Sequence, residues 1–361
     1  MKIIISGGGT GGHIYPAIAI ADALKKNYEE VEILFIGAKG RLEERLVPEY
    51  NYNFKIIDIA GFDRKRLHKN LGLPVKLLRS VTNSMKIIKG FNADIVIGTG
   101  GFVCFPVVYA AQRLKMPNVI QEGNSFAGKT VKMLSKRADK VIVNFDDTRK
   151  YLKRNDNVIR ISHPIRSSMH RIDKVEAKAK LGLDNNKTIF IFGGSQGAAG
   201  INDAIAEIAK KLAEKNINII WQTGKAQYEN LKNKFEKFSY RIKIFEFIND
   251  MQTAYSAADL VICRAGIGSI MELASMKQPA ILVPYPFATE NHQEFNARSL
   301  EKENAAIVIL QKNLYGDLFN KINEVLFDET RLAKLSDNIF KFADPEAADK
   351  IAKIVIETAK K

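Results

Sequence analysis

Short runs of apolar, mostly β-branched residues alternate along the chain with longer stretches of helical periodicity. In the first half these runs are KIIIS, EILFIG, FKIIDI, ADIVIG, NVIQ and KVIVN. In the second half they are KTIFIF, INIIWQ, RIKIFEF, DLVIC, PAILVP and AAIVIL. Strands that alternate with helices in this way indicate parallel sheets covered by helices. The pattern therefore predicts an α/β fold.

The pattern begins twice, each time with a strand that runs into a glycine-rich loop and a helix. The first start is IIISGGGTGGH, and the second is TIFIFGGSQGAAG. At 361 residues the chain is too long for one ordinary core. We expect two Rossmann-like domains, residues 1–162 and 163–343, that face an interdomain cleft. Residues 344–361 predict a C-terminal amphipathic helix with Asp344 as its N-cap.

The composition is that of a globular protein in a reducing compartment. Apolar residues make up 46% of the chain, and its two cysteines, Cys104 and Cys263, cannot build a disulfide framework. The longest uncharged stretch, residues 95–112, has the length of a membrane span. Glycines and a proline interrupt it, so it predicts a strand, a turn and a buried helix instead. The run KIIIS is too short for the apolar region of a signal peptide.

The net charge of +15 indicates an acidic partner such as nucleic acid, anionic lipid or a phosphorylated substrate. Much of this charge lies in residues 61–90, where basic and apolar residues are interleaved. Such a segment either lies on an anionic membrane surface or forms a solvated helix whose apolar side faces the core. Its basic residues are Arg64, Lys65, Arg66, Lys69, Lys76, Arg79, Lys86 and Lys89.

The first glycine loop matches the G-x-G-x-x-G pattern of dinucleotide-binding proteins through Gly7, Gly9 and Gly12. That pattern also requires an acidic residue at the end of the second strand, where it binds the ribose. Here the strand ends in FIGAK, and only Lys39 or Arg41 could serve, by binding the extra phosphate of NADP. The missing acid weakens the case for an oxidoreductase.

Two further loops, GTGGFV at residues 98–103 and GGSQGA at residues 193–198, also follow strands. Ligands bind at the carboxyl ends of parallel strands, and N–H groups at a helix N-terminus bind phosphate. His13 lies at the mouth of the first loop, and Ser195 adds a hydroxyl donor to the third. A lone histidine is more often structural than catalytic, and tight turns alone could explain each loop. Three such loops nevertheless favour one shared ligand cleft.

The second half carries polar groups that suit a nucleotide sugar. In DLVICRAGIGSIMELA, Arg264 follows a strand and Glu272 lies in the next helix. A carboxylate at this place can accept two ribose hydroxyls, or it can merely cap the helix dipole. The run ATENHQEFNA, which contains Gln293, offers the paired donors and acceptors that sugar hydroxyls need. The chain contains no D-x-D and no H-E-x-x-H, which disfavours a metal-held diphosphate.

The segments GGGTGGH, GTGGFV, HPIR, GGSQGA, EFINDM, CRAG followed by ME, and NHQEFNA occur along the chain in this order. As a set they resemble the bacterial MurG glycosyltransferase family. The resemblance implies a GT-B fold and transfer of GlcNAc from UDP-GlcNAc to the MurNAc 4-hydroxyl of lipid I, which forms lipid II for peptidoglycan. It also implies a β-1,4 linkage made with inversion, no metal or cofactor, no nucleic-acid partner, and a peripheral place on the cytoplasmic face of the cell membrane.

The same resemblance assigns residues to the site. Thr10, Gly11 and Gly12 match the family's loop near the transferred sugar. Ser195 matches the serine against the diphosphate, Ile248 the residue whose backbone faces uracil, and Glu272 the ribose acid. The other matches are Asn124, Arg166, the GlcNAc-binding Gln293, and the nucleotide-wrapping residues Ile267, Gly268, Ser269, Ile270 and Met271.

Three segments depart from the family pattern. QEGN replaces H-E-Q-N, GFVCFP replaces G-Y-V-S-G-P, and HPIR replaces N-P-V-R. As a result, Gly123, Phe102 and His163 stand where Gln, Tyr and Asn are usual. These departures concern the side of the site that is expected to bind the acceptor.

An inverting transfer needs a base for the incoming hydroxyl and stabilisation of the leaving diphosphate. We expect His13 to be the base, because a neutral imidazole has a suitable pKa. Arg264 and the backbone N–H groups of the third loop would stabilise the diphosphate. A membrane lipid as acceptor also favours membrane docking by residues 61–89. The loop residues concerned are Gly194, Ser195, Gln196 and Gly197.

Two other classes of protein remain open. An NADP-linked oxidoreductase would bind the dinucleotide tightly. A basic nucleic-acid-binding module would bind RNA or DNA with a strong dependence on salt. Such a module should also carry interleaved surface aromatic residues, and the sequence does not show that pattern.

Overall fold

The computed structural model describes residues 1–61, 72–165, 169–194 and 197–360, and the chain divides into two compact units. The first unit comprises Met1–Ser167 together with Asp344–Lys361, and the second comprises Ser168–Ala343. The first unit thus extends past the expected boundary at residue 162. The C-terminal segment, which we expected to follow the second domain as a separate helix, belongs to the first unit. The cleft expected between the domains stays a prediction.

The described part of the first unit contains a parallel sheet of seven strands in the order β3-β2-β1-β4-β5-β6-β7. The sequence pattern predicts the first six, but it misses β7, which has only three residues and ends in an arginine. The strands are β1 (Lys2–Gly7), β2 (Glu32–Ala38), β3 (Asn53–Ile57), β4 (Ile95–Gly100), β5 (Asn118–Glu122), β6 (Lys140–Val143) and β7 (Val158–Arg160).

Helices connect these strands and cover both faces of the sheet. They are α1 (Gly11–Asn27), α2 (Leu42–Glu49), α3 (Leu73–Phe91), α4 (Cys104–Arg113), α5 (Lys129–Leu134) and, from the C-terminus, α14 (Ala347–Ala359). The uncharged stretch 95–112 forms β4, a turn and most of α4, as predicted. Within the described residues, no helix combines the length and the apolar character needed to cross a membrane.

The start of α14 differs from the sequence expectation. The helix begins at Ala347 with Glu346 at the N-cap, so the prediction of Asp344 as N-cap is wrong. The Asp344 carboxylate instead accepts a hydrogen bond from the Glu346 N–H at 3.1 Å. An aspartate that bonds the N–H two residues onward forms a turn of its own, which delays the helix.

The second unit contains a parallel sheet of six strands in the order β10-β9-β8-β11-β12-β13. All six were predicted. The strands are β8 (Thr188–Phe192), β9 (Asn218–Gln222), β10 (Ile242–Phe245), β11 (Leu260–Cys263), β12 (Ala280–Leu282) and β13 (Ile307–Val308). The helices are α6 (Lys174–Lys180), α7 (Ala199–Glu214), α8 (Tyr228–Lys234), α9 (Met251–Ala257), α10 (Ile267–Ser275), α11 (His292–Lys302), α12 (Leu314–Leu326) and α13 (Glu329–Phe340).

The central strands of each sheet are mostly apolar because both of their faces are buried. In β1, Ile3 and Ile5 pack into one core cluster and Ile4 packs into the cluster on the opposite face. Both cysteines are free and buried, and burial raises the pKa of the Cys104 thiol to about 12. Since all strand pairs in each sheet are parallel, the loops that follow the strands gather at one edge, where ligands bind in this class of fold.

Candidate functional site

The first glycine loop, between β1 and α1, already holds a buried negative charge. The Gly9 N–H donates to Oε2 of Glu43 at 2.9 Å, and the Ala38 N–H donates to Oε1 at 3.2 Å. Glu43 lies at the start of α2 and is fully buried. A dinucleotide diphosphate would therefore meet a carboxylate at this N–H group, which argues against the oxidoreductase alternative. Sequence analysis did not identify Glu43, although this acidic residue in the first turn of α2 can be read from the sequence.

His13 lies in the first turn of α1 and contacts the end of β4. Its Nδ1 is 3.1 Å from the Thr99 carbonyl oxygen, and the Thr99 hydroxyl donates to the His13 carbonyl at 2.8 Å. A carbonyl can only accept, so Nδ1 carries a hydrogen, and in the neutral ring Nε2 then carries the lone pair. Gly100, with φ of +107°, allows this contact, because a Cβ there would lie 2.5 Å from Nδ1. The imidazole is therefore held in the tautomer that a base at Nε2 requires.

The loop after β5 is organised by Glu122. One carboxylate oxygen accepts from the backbone and the side-chain amide of Asn124, at 2.9 and 3.0 Å. The other oxygen accepts from the Gly128 N–H at 2.9 Å. Glu122 is buried, so it fixes the conformation of the loop that carries Asn124. Sequence analysis named Asn124 and overlooked the acid that holds it.

His163, one of the departures from the family pattern, is buried behind His13. Its Nδ1 lies 2.7 Å from Nε2 of Gln121, and its backbone N–H donates to Oδ1 of Asn144 at 2.8 Å. Burial and the nearby charge of His13 lower the pKa of His163 to about 3, although a hydrogen bond to the Gly12 backbone raises it. His163 is thus a neutral imidazole at physiological pH.

In the second unit, the loop after β8 depends on two glycines with positive φ, Gly194 and Gly197. The Gly197 N–H donates to the Gly194 carbonyl at 3.0 Å, which closes the turn. A Cβ at Gly197 would lie 2.1 Å from the Thr223 carbonyl oxygen, so only glycine fits here. Ser195 and Gln196, the other predicted residues of this loop, lie outside the described residues.

Gln222, at the end of β9, joins two parts of the expected donor site. Its Nε2 donates to the Gly194 carbonyl at 3.1 Å, and its Oε1 accepts from the Ile248 N–H at 2.8 Å. The side chain is only 2% exposed, so both bonds are shielded from water. Sequence analysis did not identify this residue, because a glutamine at the end of a strand is not distinctive.

The guanidinium of Arg264 is hydrogen-bonded to neighbouring groups of the protein. Its guanidinium donates to the carbonyls of Val283 and Pro284, each at 3.2 Å, and to Oε1 of Gln311 at 2.6 Å. It is buried, and the Gln311 side chain lies against Gly200 in the first turn of α7. Arg264 thereby braces the loop after β12 and the start of α7. Its direct contact with a diphosphate stays a prediction.

Glu272 lies on α10, which begins at Ile267 directly after a strand, as predicted. Its Oε2 accepts a hydrogen bond from the Tyr255 hydroxyl at 3.0 Å. Burial, and next the charge of Glu272, raise the pKa of this hydroxyl well above its usual value, so it remains a donor. Gly268 and Ser269 are partly exposed in the same turn, whereas Ile270 and Met271 are buried.

Gln293, in the first turn of α11, lies against the loop after β12. Its Oε1 accepts from the Tyr285 N–H at 2.9 Å, which leaves the amide nitrogen as a donor for another group. Tyr285 and Phe287 of this loop contact each other edge to face and are exposed. The residue expected to bind a sugar thus lies beside two exposed aromatic rings.

The basic segment is described only in part. Arg64, Lys65, Arg66 and Lys69 lie outside the described residues, as does the predicted donor residue Arg166. In α3, Ser80, Val81, Ser84 and Ile88 face the core, whereas Val75 is 54% exposed and Leu78 is 69% exposed. Lys76 and Arg79 are exposed beside them. The helix therefore has a core-facing side and also a basic and apolar outer surface.

Potential metal ligands do not gather in the described part of the chain, where no three His, Cys, Asp or Glu side chains form a group that could hold an ion.

Two models of one family match the chain, one in each half. The glycosyltransferase family 28 N-terminal domain matches residues 3–143, and the C-terminal domain of the same family matches residues 188–351. The class that the fold and these matches define is therefore a family 28 glycosyltransferase with two Rossmann-like domains.

Relatives that match over their full length show which family within this class the chain belongs to. UDP-N-acetylglucosamine–N-acetylmuramyl-(pentapeptide) pyrophosphoryl-undecaprenol N-acetylglucosamine transferase of Acetivibrio thermocellus is 42% identical, covering 100% of this chain and 99% of its own. The transferase of the same name from Phocaeicola vulgatus is 41% identical, with coverage of 100% and 97%. The crystal structure of Acinetobacter baumannii MurG superposes with a TM-score of 0.81 at 29% identity and covers 99% of both chains. The chain belongs to this MurG transferase family.

Proposed function

We propose that the protein transfers GlcNAc from UDP-GlcNAc to the MurNAc 4-hydroxyl of undecaprenyl-pyrophosphoryl-MurNAc-pentapeptide, lipid I, and so forms lipid II. The observation that carries this proposal is the similarity over the whole chain to relatives whose names state this transfer. The described site residues support it, because they include the hydroxyl-binding and base groups that the reaction needs.

The donor would bind in the second unit. Glu272, held by Tyr255, accepts the ribose hydroxyls, and the loop after β8 receives the diphosphate at the N-terminus of α7. The Ile248 N–H is engaged by Gln222, so the carbonyl of Ile248 is the backbone group that faces an N–H of the uracil. Gln293 provides an amide donor to the GlcNAc hydroxyls.

The chemical step would be a single displacement with inversion. Nε2 of His13 takes the proton of the MurNAc 4-hydroxyl as the oxygen attacks the anomeric carbon, and the bond to UDP breaks with its electrons on the diphosphate. Thr99 keeps the imidazole in the required tautomer. Glycine-loop N–H groups stabilise the charge that develops on the leaving group, without a metal ion.

The lipid acceptor requires the enzyme to work at a membrane, as a peripheral protein on the cytoplasmic face. The exposed residues Lys76 and Arg79 flank Leu78 on the outer surface of α3. Cationic groups beside apolar side chains bind anionic lipid surfaces. This surface supports membrane docking by the basic segment rather than the alternative of a helix that is merely solvated.

A transfer assay with UDP-GlcNAc and a soluble lipid I analogue tests the proposal. We expect a β-1,4-linked product, activity that survives EDTA, and stabilisation by UDP-GlcNAc but not by NADP or GDP-mannose. His13→Ala should lower kcat by about 10²–10⁴-fold with the donor KM nearly unchanged. His170→Ala, at an exposed histidine, is the matched control. Normal kcat in His13→Ala would mean that another group is the base, and the absence of transfer by the native protein would refute the function.

A further inference from the structure

A polar cavity of about 710 Å³ lies at the amino-terminal edge of the sheet in the first unit. Asn118 and Lys140, which line it, begin β5 and β6, and Asn157 lies directly before β7. The glycine loops of the candidate site in this unit follow the carboxyl ends of strands, so the strands themselves separate the two places. A cavity of this volume can hold a small molecule, since ligand pockets span about 300–1,000 Å³.

The cavity has an excess of positive charge, because four basic and two acidic residues line it. Arg154 and Asp156 neutralise each other through two hydrogen bonds, at 2.6 and 2.7 Å. Oδ2 of Asp139 accepts from the N–H and the side-chain amide of Asn118, at 2.8 and 3.1 Å. The other basic residues have neither an ion pair nor a side-chain hydrogen bond within the part of the chain that the structure describes, and they are Lys115, Arg137 and Lys140. Cations that converge on one cavity favour an anion there.

Lys115 has a backbone conformation that lysine rarely adopts. Its φ is +56° directly after the end of α4, a place where glycine or asparagine usually takes the left-handed conformation. Lys277, the other lysine with a positive φ, lies over the ring of Phe340 at 4.1 Å, and Lys115 has no such contact among the described residues. At the ends of four other helices the left-handed residue is asparagine, namely Asn51, Asn92, Asn216 and Asn304. An unfavourable backbone conformation that carries an unpaired charge into a cavity points to a function for that charge.

Gln112 provides the cavity with a hydrogen-bond acceptor. Its Nε2 donates to the Leu134 carbonyl and to Oδ1 of Asn118, both at 3.0 Å. A carbonyl can only accept, so the orientation of the Gln112 amide is fixed. Its Oε1 accepts no hydrogen bond from the described residues, and the side chain is half-buried. Gln112 therefore offers an acceptor to a hydroxyl group in the cavity that it lines.

We propose that this cavity binds a phosphate ester that carries a free hydroxyl group, which is the chemistry of a glycerol phosphate. Lys115, Arg137 and Lys140 bind the phosphate oxygens, and Oε1 of Gln112 accepts from the hydroxyl. A phosphate monoester carries a charge of about −1.5 to −2 at pH 7, which matches the excess positive charge of the lining. A soluble metabolite and the headgroup of a phospholipid can both present these groups. The site does not depend on the proposed function.

Titration of the full chain with glycerol 3-phosphate tests the site without reference to activity. In ¹⁵N-labelled protein, we expect saturable shift changes at the backbone N–H groups of Lys115, Arg137 and Lys140. Inorganic phosphate should bind about 3–10-fold more weakly, because it lacks the bond to Gln112. Binding that does not saturate, or competition by UDP, would overturn the proposal. Dihexanoyl phosphatidylglycerol, below its micelle concentration, distinguishes the sources, because at least 10-fold tighter binding than glycerol 3-phosphate indicates a lipid headgroup and weaker binding indicates a soluble metabolite.

A triple variant tests whether the cavity residues bind the ligand. Lys115→Asn with Arg137→Gln and Lys140→Gln should weaken the binding of glycerol 3-phosphate by at least about 30-fold, because three charge-assisted bonds are lost. The control removes three exposed positive charges that lie nearby in the sequence but do not line the cavity, and it should bind within about 2-fold of the native protein. Its substitutions are Arg113→Gln, Lys136→Gln and Lys153→Gln. Native affinity in the first variant, or an equal loss in both, would overturn the proposal.

The single variant Lys115→Asn separates binding from stability. Asparagine adopts the left-handed conformation more readily than lysine, so the urea midpoint of unfolding should stay the same or rise. The affinity for glycerol 3-phosphate should nevertheless fall by about 5–10-fold, because one bond to the phosphate is lost. Lys277→Asn, at the matching position after α10, is the control and should leave the affinity unchanged. Native affinity in Lys115→Asn would overturn the role of Lys115, since the residue would then serve only the end of the helix.

Discussion

The carboxylate of Glu43 lies beneath the first glycine loop and accepts a hydrogen bond from the Gly9 N–H at 2.9 Å. In a dinucleotide-binding loop, N–H groups at this position are turned to a phosphate. Here they bind an acid of the protein itself, which also ties the loop to the Ala38 N–H at the end of β2. The G-x-G-x-x-G pattern is thus present in the sequence. The Gly9 N–H, however, already donates its hydrogen bond to a carboxylate of the protein itself.

Glu43→Gln should destabilise the first unit while leaving most surface properties unchanged. The amide has one oxygen where the carboxylate offered two, so one buried N–H loses its acceptor, at a cost of about 1–3 kcal/mol. The free energy of unfolding, measured with urea, gives this value. Glu44→Gln is the matched control, since Glu44 also accepts from a loop N–H, of Gly40, but is not buried, and should change stability by less than about 0.5 kcal/mol. Equal effects in both variants would contradict a special role for Glu43.

Tyr255→Phe should weaken donor binding without affecting the chemical step. The substitution removes the hydroxyl that holds Glu272 at 3.0 Å, while the ring keeps its edge contacts with Phe190 and Phe192. Loss of one such hydrogen bond should raise the donor KM by about 3–10-fold, with kcat within about 2-fold. Tyr240→Phe, at an exposed tyrosine of the same unit, is the control. A change in kcat alone would place Tyr255 outside the ribose site.

Charge reversal on α3 should weaken membrane binding. Lys76→Glu combined with Arg79→Glu places two negative charges beside Leu78, and each basic residue near an anionic surface contributes about 1 kcal/mol. We expect binding to phosphatidylglycerol vesicles to fall by at least about 30-fold, with UDP-GlcNAc affinity unchanged. Lys26→Glu combined with Lys353→Glu makes the same change in net charge on α1 and α14 and is the control. Equal loss in both double variants would indicate that only the net charge matters.

Stability should fall in acid partly because His163 is buried and neutral. Its pKa is about 3 in the folded protein, against a usual value of 6.5, so between these pH values the unfolded chain binds a proton that the folded protein does not. The free energy of unfolding should therefore decrease as pH falls from 6.5, by up to about 1.4 kcal/mol per pH unit. Urea unfolding of His163→Asn at pH 7, 6 and 5 should show a shallower decrease than the native protein. Parallel curves would show that His163 is not the group responsible.

Much of the fold follows from the sequence for a simple physical reason. A strand buried on both faces must be apolar throughout, so twelve of the thirteen described strands stand out as apolar runs between helices. Strand β7 does not, because its short sequence VIR carries too little apolar signal. The start of α14 was misjudged because Asp344 forms a turn with Glu346, and a capping preference alone cannot distinguish the two uses of an aspartate.

The candidate site, like the fold, could be predicted from the sequence only in part. The residues proposed to meet a ligand can be recognised in the sequence by their type and by their place after a strand, as His13, Gln293 and Glu272 can. The residues that hold the neighbouring loops, among them Glu43 and Gln222, are ordinary acids and amides in sequence. Their roles depend on which N–H group or carbonyl lies within about 3 Å, and that depends on contacts between distant segments.

The sequence by itself determined the class of fold and the family, and it supplied the candidate site residues, because these depend on local pattern and on motifs. Only the tertiary structure decided which group the first glycine loop already bonds and how His13 is held. The pairs Glu43 with Gly9 and Gln121 with His163 are each separated by more than thirty residues in the chain. Their hydrogen bonds exist because parallel strands bring their carboxyl ends to one edge, which no local pattern records.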